Sequence, residues 1–426
     1  MSKGFPDHSE QREKGSLLSS VVQSSTADRL LHIHALLDEL TSAPSSHDVM
    51  ELAMATATSL DLARADSSPL VWLIIVGVPG SDKTQRVLTL KECSQTLFLD
   101  SLTVNSFASG YVDQRTGQSA KSLLPELDGK CLILKDLTTL FSQRSENVQK
   151  ILGDLQSIYD GSYSKATGTV GVLSYDSTFT ILACITPQAL KNHQRYMSSI
   201  GGRFLCFGVE DLTEAEKEAG FHLIWNDEGR KQKMQMLEKM VVEHVEDILT
   251  SPLVLQPETP AHQQAISTLA ELMAMGRSVI ERGRVEGDLE ILGHQTEQPW
   301  RGTYQLRNLS RALARVHGRG FLTEHDLELL RRVVLSSMHM AWGDILRMVP
   351  YHPEGLTVAK VASVSGLSSP WVRQKLEELA VVGILESAKV GKERLYYPQA
   401  KYQALLGTPI TPLNHKEDLQ EEEKKQ

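Results

Sequence analysis

Aromatic residues are scarce in this 426-residue chain, at 6%, and cysteine is scarcer, with four positions: Cys93, Cys131, Cys184 and Cys206. Each cysteine stands singly among apolar neighbours, without metal-ligand spacing. The four therefore read as reduced core thiols of a cytosolic protein rather than a zinc site or a disulfide framework. Positive charge is also short, with a formal net charge of -9. That balance argues against a generally basic nucleic-acid binder, so any such contact must come from a local patch. No apolar run approaches the length of a membrane helix, and the first residues carry no charged-then-apolar leader pattern. The expectation is a cytoplasmic protein with no membrane partner. What remains is an ordinary globular composition, long enough for two or three domains.

The most informative stretch is Val71 to Leu88, VWLIIVGVPGSDKTQRVL. Leu70 to Val76 is apolar and rich in β-branched residues, as a central parallel strand should be. The chain then turns through Gly77, Pro79 and Gly80, and Thr84 to Leu90 can continue as a helix. The frame Gly77-x-x-x-x-x-Lys83-Thr84 has the spacing of a phosphate loop. In such a loop Gly77, Gly80, Ser81 and Asp82 offer backbone N–H groups to phosphates, Lys83 neutralises them and Thr84 holds Mg²⁺. Asp82 departs from the pattern, because a glycine belongs just before the lysine. An unliganded strand-turn-helix connection is the competing reading of the same residues.

Other segments supply context. Residues 1–27 are polar and Ser-rich and are expected to be disordered, and 28–66 to form a helical N-terminal segment, with His32, His34 and His47 as ordinary surface or boundary histidines. Thr96 to Asp100 reads as a second strand. Cys131 to Lys135 is a third, ending in Asp136 about fifty residues after the phosphate-loop frame. An acid there can orient Mg²⁺ beside a phosphate loop. Glu146 to Tyr159 is an amphipathic helix, and Thr167 to Gly171 a Gly/Thr-rich connection. Phe179 to Ile185 is another buried strand, closed by Thr186 and Pro187, and Phe204 to Val209 is one more. From Leu212 helices are expected to dominate to about Ala341. In the last ordered block, Leu356 to Val364 and Ser369 to Val382 form two helices around Gly366. A hairpin follows around Val390-Gly391-Lys392, the order of a winged helix-turn-helix. Residues 407–426 form a charged, mostly acidic tail, expected to be disordered.

With these pieces in order, the chain resembles the AAA+ ATPases, within them the MCM-like and prophage helicase or initiator branch, over roughly Val71 to Met338. The resemblance implies an α/β fold: a P-loop NTPase core at 67–211 with a parallel sheet between helices, a helical lid at 212–345 and a C-terminal winged helix-turn-helix at 346–406. It implies ATP and Mg²⁺ as ligands, with Asp136 as the Walker-B acid and Thr186 as the sensor of the γ-phosphate. Gly202-Arg203-Phe204 looks like the family's arginine-finger motif, acting on a neighbour's nucleotide in a homo-oligomer. Arg301 is the best match to the lid's sensor-2 arginine, and Arg307 the second. The insert carrying Lys165 is similar to one that faces DNA in the ring's channel. In the winged helix, Ser369, Arg373 and Lys375 begin the second helix, while Lys389, Lys392 and Arg394 decorate the wing, positions that suit DNA contacts. A protein-binding winged helix is the alternative, because Glu377, Glu378 and Glu386 dilute the positive field.

Two residues depart from the family: Asp82 in the loop, and Leu137 where Walker B continues with a catalytic Glu. A slipped register would put Lys135 at the metal position, and Lys cannot bind Mg²⁺. The function implied is an oligomeric ATP-binding protein acting on DNA, helicase-like or a replication-initiation factor of mobile-element origin. The alternative is a nucleotide-gated DNA-binding regulator with little or no ATP hydrolysis.

Overall fold

The computed structural model describes residues 26–109, 121–168, 171–193, 201–226, 228–251, 253–285 and 288–408. The disorder expected for 1–27 and 407–426 falls outside these residues except at 26–27, which open a helix instead, and at 407–408. Three apolar segments form the strands β1 (Trp72–Val76), β2 (Thr96–Leu99) and β3 (Cys131–Leu134). An antiparallel pair, β4 (Ser162–Thr167) and β5 (Gly171–Asp176), comes next, and then β6 (Thr180–Ile185) and β7 (Phe204–Gly208). Five of these strands make one parallel sheet in the order β2-β3-β6-β1-β7. β1, β3 and β6 are buried along their whole length, which is why they read as unbroken apolar runs rather than alternating ones.

Successive side chains nevertheless go to different cores. Leu73 and Ile75 join Leu182, Cys184 and Phe207 on the face covered by the helix Ser45–Thr58 and the later helices. Trp72 and Ile74 join Ile181, Ala183 and Phe204 on the face covered by the helix Ser145–Tyr159. The edge strand β7 is blunted by serines: Cys206 N donates to Ser337 Oγ at 2.8 Å and Gly208 N to Ser336 Oγ at 3.0 Å. Backbone donors that would invite another strand are partly engaged in this way. All four cysteines are buried thiols, and burial pushes Cys131 up to about 12 and Cys206 up to about 11.

Two hairpins replace expected connections. The insert after Tyr159 is the β4–β5 ribbon rather than a Gly/Thr-rich loop. The region in which helices are expected to dominate also contains a second ribbon, β8 (Val279–Val285) and β9 (Asp288–Gln295), between the helices Pro260–Gly276 and Trp300–Val316. Exposed polar residues dominate both ribbons, so neither carries the apolar period that marks a buried strand. At the C-terminal end, helices Val358–Ser365 and Ser369–Val381 flank Gly366, whose φ of +68° ends the first helix in the left-handed conformation that favours glycine. They lead into the hairpin β10 (Leu385–Val390) and β11 (Glu393–Pro398), and Leu356 bridges Tyr396 on β11. Among the described residues no helix is long and apolar enough to cross a membrane.

Candidate nucleotide-binding site

The parallel sheet sends the C-terminal ends of β1, β3 and β6 to one side, and the phosphate-loop residues, Asp136 and Thr186 all lie there. β6 joins the two halves: Gly77 N donates to Ile185 O at 3.1 Å, and Leu137 N to Cys184 O at 2.9 Å. Burial pushes the Cys184 thiol up to about 12. The Lys83 ammonium and a hydrogen bond with Thr84 pull the other way, and Asp136 adds to the rise. One side chain therefore senses Lys83, Thr84 and Asp136 together, across two strands of the sheet.

The loop is a tight turn that depends on glycine. A Cβ on Gly77 would meet Ser81 Oγ at 2.6 Å and Lys83 Cδ at 3.2 Å, so only glycine fits that turn. Gly80 takes φ +83° with open space around it. Ser81 Oγ is buried without a hydrogen-bond partner, an acceptor or donor held in reserve. Lys83 is 8% exposed and its Nζ folds onto Val78 O at 3.1 Å. These features fit a bound polyphosphate.

Asp82 sits at φ +56°, in the left-handed region that the missing glycine would occupy freely. The backbone conformation of a phosphate loop is kept although the residue type is not. Its carboxylate lies 3.7 Å from the guanidinium of Arg86, four residues on. Arg86 is 1% exposed, and none of its three side-chain nitrogens has a hydrogen-bond partner. Burial lowers the Arg86 pKa, Asp82 opposes that shift and Arg230 adds to it. Asp82 is thus the near counter-charge of a buried arginine as well as an acid beside the cradle.

Asp136 Oδ1 accepts from Thr138 N at 2.8 Å, which orients the carboxylate at the start of the short helix Thr138–Phe141. Leu137, directly after Asp136, is 5% exposed, a core position. Thr186 caps the helix Pro187–Asn192, accepting from Ala189 N at 3.3 Å.

Arg203 and Arg301 lie elsewhere. Arg203 precedes β7, and Phe204 is in register with Trp72, the first residue of β1. At ~3.3 Å per residue, Arg203 lies about 20 Å along the strands from the level of Gly77. Its guanidinium is 3.7 Å from Asp160 Oδ2 and 5.6 Å from the centre of the Tyr159 ring. Arg301 is 6.0 Å from the same ring. Tyr159 donates to Leu70 O at 2.8 Å, and Gln305 Nε2 donates to both Tyr159 Oη and Arg203 O. The best sensor-2 match is therefore grouped with Arg203 and not with this chain's own phosphate loop. A helical period shows which face a residue occupies, but not which end of the sheet that face meets. Arg307, the second match, is tied to Glu258 at 3.2 Å and to Asp66 at 3.7 Å, a structural role.

Lys165 lies on β4, and its Nζ reaches Asn105 Oδ1 at 3.3 Å and Ala108 O at 3.4 Å. Among the C-terminal candidates, Ser369, Arg373, Lys389, Lys392 and Arg394 are exposed, and Lys389 stands directly across from Arg394. Lys375 instead bonds the buried Glu378 at 2.8 Å. Burial alone would raise the Glu378 carboxyl, but hydrogen bonds from Lys375, Arg282, Gln374 and Trp342 hold it below the usual range. Lys375 is thus engaged within its own helix, and it is Arg282 on β8, 2.8 Å from Glu378, that ties this helix to the β8–β9 ribbon.

No protein-family model matches this chain, and no curated protein matches it.

Proposed function

We propose that the chain is an oligomeric ATP-binding protein of the AAA+ kind that acts on DNA. The observation that carries this reading is the placement of the Gly77–Thr84 turn and Asp136 on either side of β6, at the C-terminal ends of strands ordered β2-β3-β6-β1-β7, with Gly77 N and Leu137 N both donating to β6 carbonyls. In this reading 67–211 is the ATPase core, 212–345 the lid and 346–406 a winged helix-turn-helix. Lys83 binds the β- and γ-phosphates, Ser81 turns its hydroxyl into the cradle, Thr84 and Asp136 hold Mg²⁺, and Thr186 faces the γ-phosphate. The ion, when bound, neutralises charge on the phosphate oxygens.

Arg203 and Arg301 are too far along the sheet to serve the loop of their own chain, so they serve that of a neighbouring copy. Trp300 and Tyr304, 67% and 45% exposed on the same helix as Arg301, supply aromatic anchors of the kind that interfaces use. The wing residues Lys389, Lys392 and Arg394, with Ser369 and Arg373, contact DNA phosphates, and Lys165 adds a contact from the β4–β5 ribbon.

A second reading, a nucleotide-gated DNA-binding regulator with little hydrolysis, is favoured by the apolar, buried Leu137. ATP binding and turnover by the purified chain, with and without DNA, test both against Lys83→Ala. Binding lost in Lys83→Ala with slow DNA-stimulated turnover in the natural chain supports the first reading, and binding without turnover supports the second. No ATP binding by the natural chain sinks both. In the first reading Arg203→Ala leaves ATP binding unchanged and abolishes turnover, and mixing it with Lys83→Ala restores part of the rate.

A further inference from the structure

A buried polar cluster lies away from the phosphate loop, on the helices that cover the opposite face of the sheet from Tyr159. Glu51, on the helix Ser45–Thr58, is fully buried. Its Oε2 is 3.0 Å from His317 Nε2 and 3.0 Å from His325 Nε2, and its Oε1 is 3.1 Å from His34 Nε2. The three imidazoles come from separate places: the helix at 26–38, the C-cap of Trp300–Val316 and the first turn of Glu324–Ser336. His34 is 6% exposed, a core residue and not the surface or boundary histidine that its sequence neighbourhood suggests.

A carboxylate taken wholly out of water needs a compensating cation. The neighbouring guanidinium groups already have acids of their own: Arg332 is 2.5 Å from Asp48, and Arg319 is 2.9 Å from Asp326. The imidazoles of His34, His317 and His325 lie against Glu51; burial alone would lower His325, but Glu51 brings it up to about 9, so either a proton there or a metal ion supplies the charge. Neutral imidazole nitrogen and carboxylate oxygen are the donors that Zn²⁺ takes, at ~2.0 to 2.2 Å, which puts neighbouring donors of a tetrahedral site about 3.3 Å apart. The ligand atoms of Glu51, His317 and His325 all lie within 4.8 Å of one another.

We propose that Glu51, His317 and His325 bind a divalent transition metal of the Zn²⁺ class. His34 acts as the outer partner that holds the other carboxylate oxygen. His317 and His325, each 13% exposed at the side chain, leave the fourth position open to water. The ion pins the N-terminal helices to the two helices that follow the β8–β9 ribbon, and it is independent of any nucleotide.

The test uses the full chain, stripped of metal and titrated with Co²⁺ and then Zn²⁺. The expected result is one equivalent held per chain through gel filtration, with the intense visible bands of four-coordinate Co²⁺ and a rise in Tm on adding Zn²⁺. Glu51→Gln and the double change His317→Ala with His325→Ala lose the equivalent, whereas Asp136→Asn keeps it. His34→Ala weakens Zn²⁺ by about 10- to 100-fold, as loss of an outer partner does. If the ligand variants fail to fold, the Co²⁺ spectrum of the natural chain decides alone. No retained metal, or bands that survive in folded Glu51→Gln, overturns the proposal, and the cluster is then balanced by a proton on one imidazole.

Discussion

Changing Asp82 to glycine restores the residue that a phosphate loop ordinarily carries, and the structure gives this change two opposed effects on stability. Glycine relieves the left-handed conformation at φ +56°, a gain of about 1 kcal/mol. It also removes the counter-charge 3.7 Å from Arg86. At an effective dielectric of 20 that attraction is about 4 kcal/mol. The Asp82 side chain is 32% exposed, and solvent screening reduces the figure to about 2 kcal/mol. Asp82→Gly is therefore destabilised by about 1 kcal/mol, against the usual rule that glycine is welcome at positive φ. Adding Arg86→Met removes the stranded charge and restores stability to the natural level or above. Loss of a carboxylate beside the phosphates tightens ATP by about tenfold, equal to about 1.4 kcal/mol. Denaturant midpoints of the three proteins and ATP titrations check both parts. A more stable Asp82→Gly single variant would refute the Arg86 argument, and unchanged ATP affinity would refute the placement of the carboxylate.

Three further outcomes are expected. Arg332→Met strands the buried Asp48 and costs about 3 to 5 kcal/mol in equilibrium unfolding, and Asp48→Leu in the same chain recovers most of it. Burial holds His244 at about 4 against an ordinary 6.5. The unfolded chain takes up that proton first, so stability falls as pH drops below 6.5 and levels near 4. The fall totals about 3 kcal/mol, and His244→Gln flattens this part of the denaturant-midpoint profile against pH. Replacing Lys389, Lys392 and Arg394 with alanine lowers DNA affinity evenly across sequences and reduces the slope of log K against log salt by about 3.

What the sequence made legible was local. β1, β3 and β6 announced themselves because strands buried on both faces must be apolar throughout, and the turn from β1 into the helix Lys83–Leu88 because its residues are neighbours in sequence. The two ribbons were hidden for the opposite reason, since SYSKAT and VIERGRV are held by cross-strand pairing rather than by an apolar face. For Arg301 the helix was legible but the end of the sheet it meets was not, because periodicity carries no information about sheet ends. The Glu51 cluster had no signal at all. His317 and His325 are 266 and 274 residues away from Glu51, beyond the reach of any spacing rule.

The position of Arg203 at one end of the sheet and of Lys83 at the other has a geometric corollary for assembly. A surface that meets a different surface on the next copy makes a heterologous contact, and repeating it yields a closed ring or an open filament according to one angle. Both surfaces here are rigidly attached to the same five strands, so that angle is a property of the single subunit, set by strand twist and by the helices packed on it. In the proposed homo-oligomer, subunit number is then encoded in the core. A substitution inside the sheet, touching neither surface, can change a ring's count or leave it unclosed.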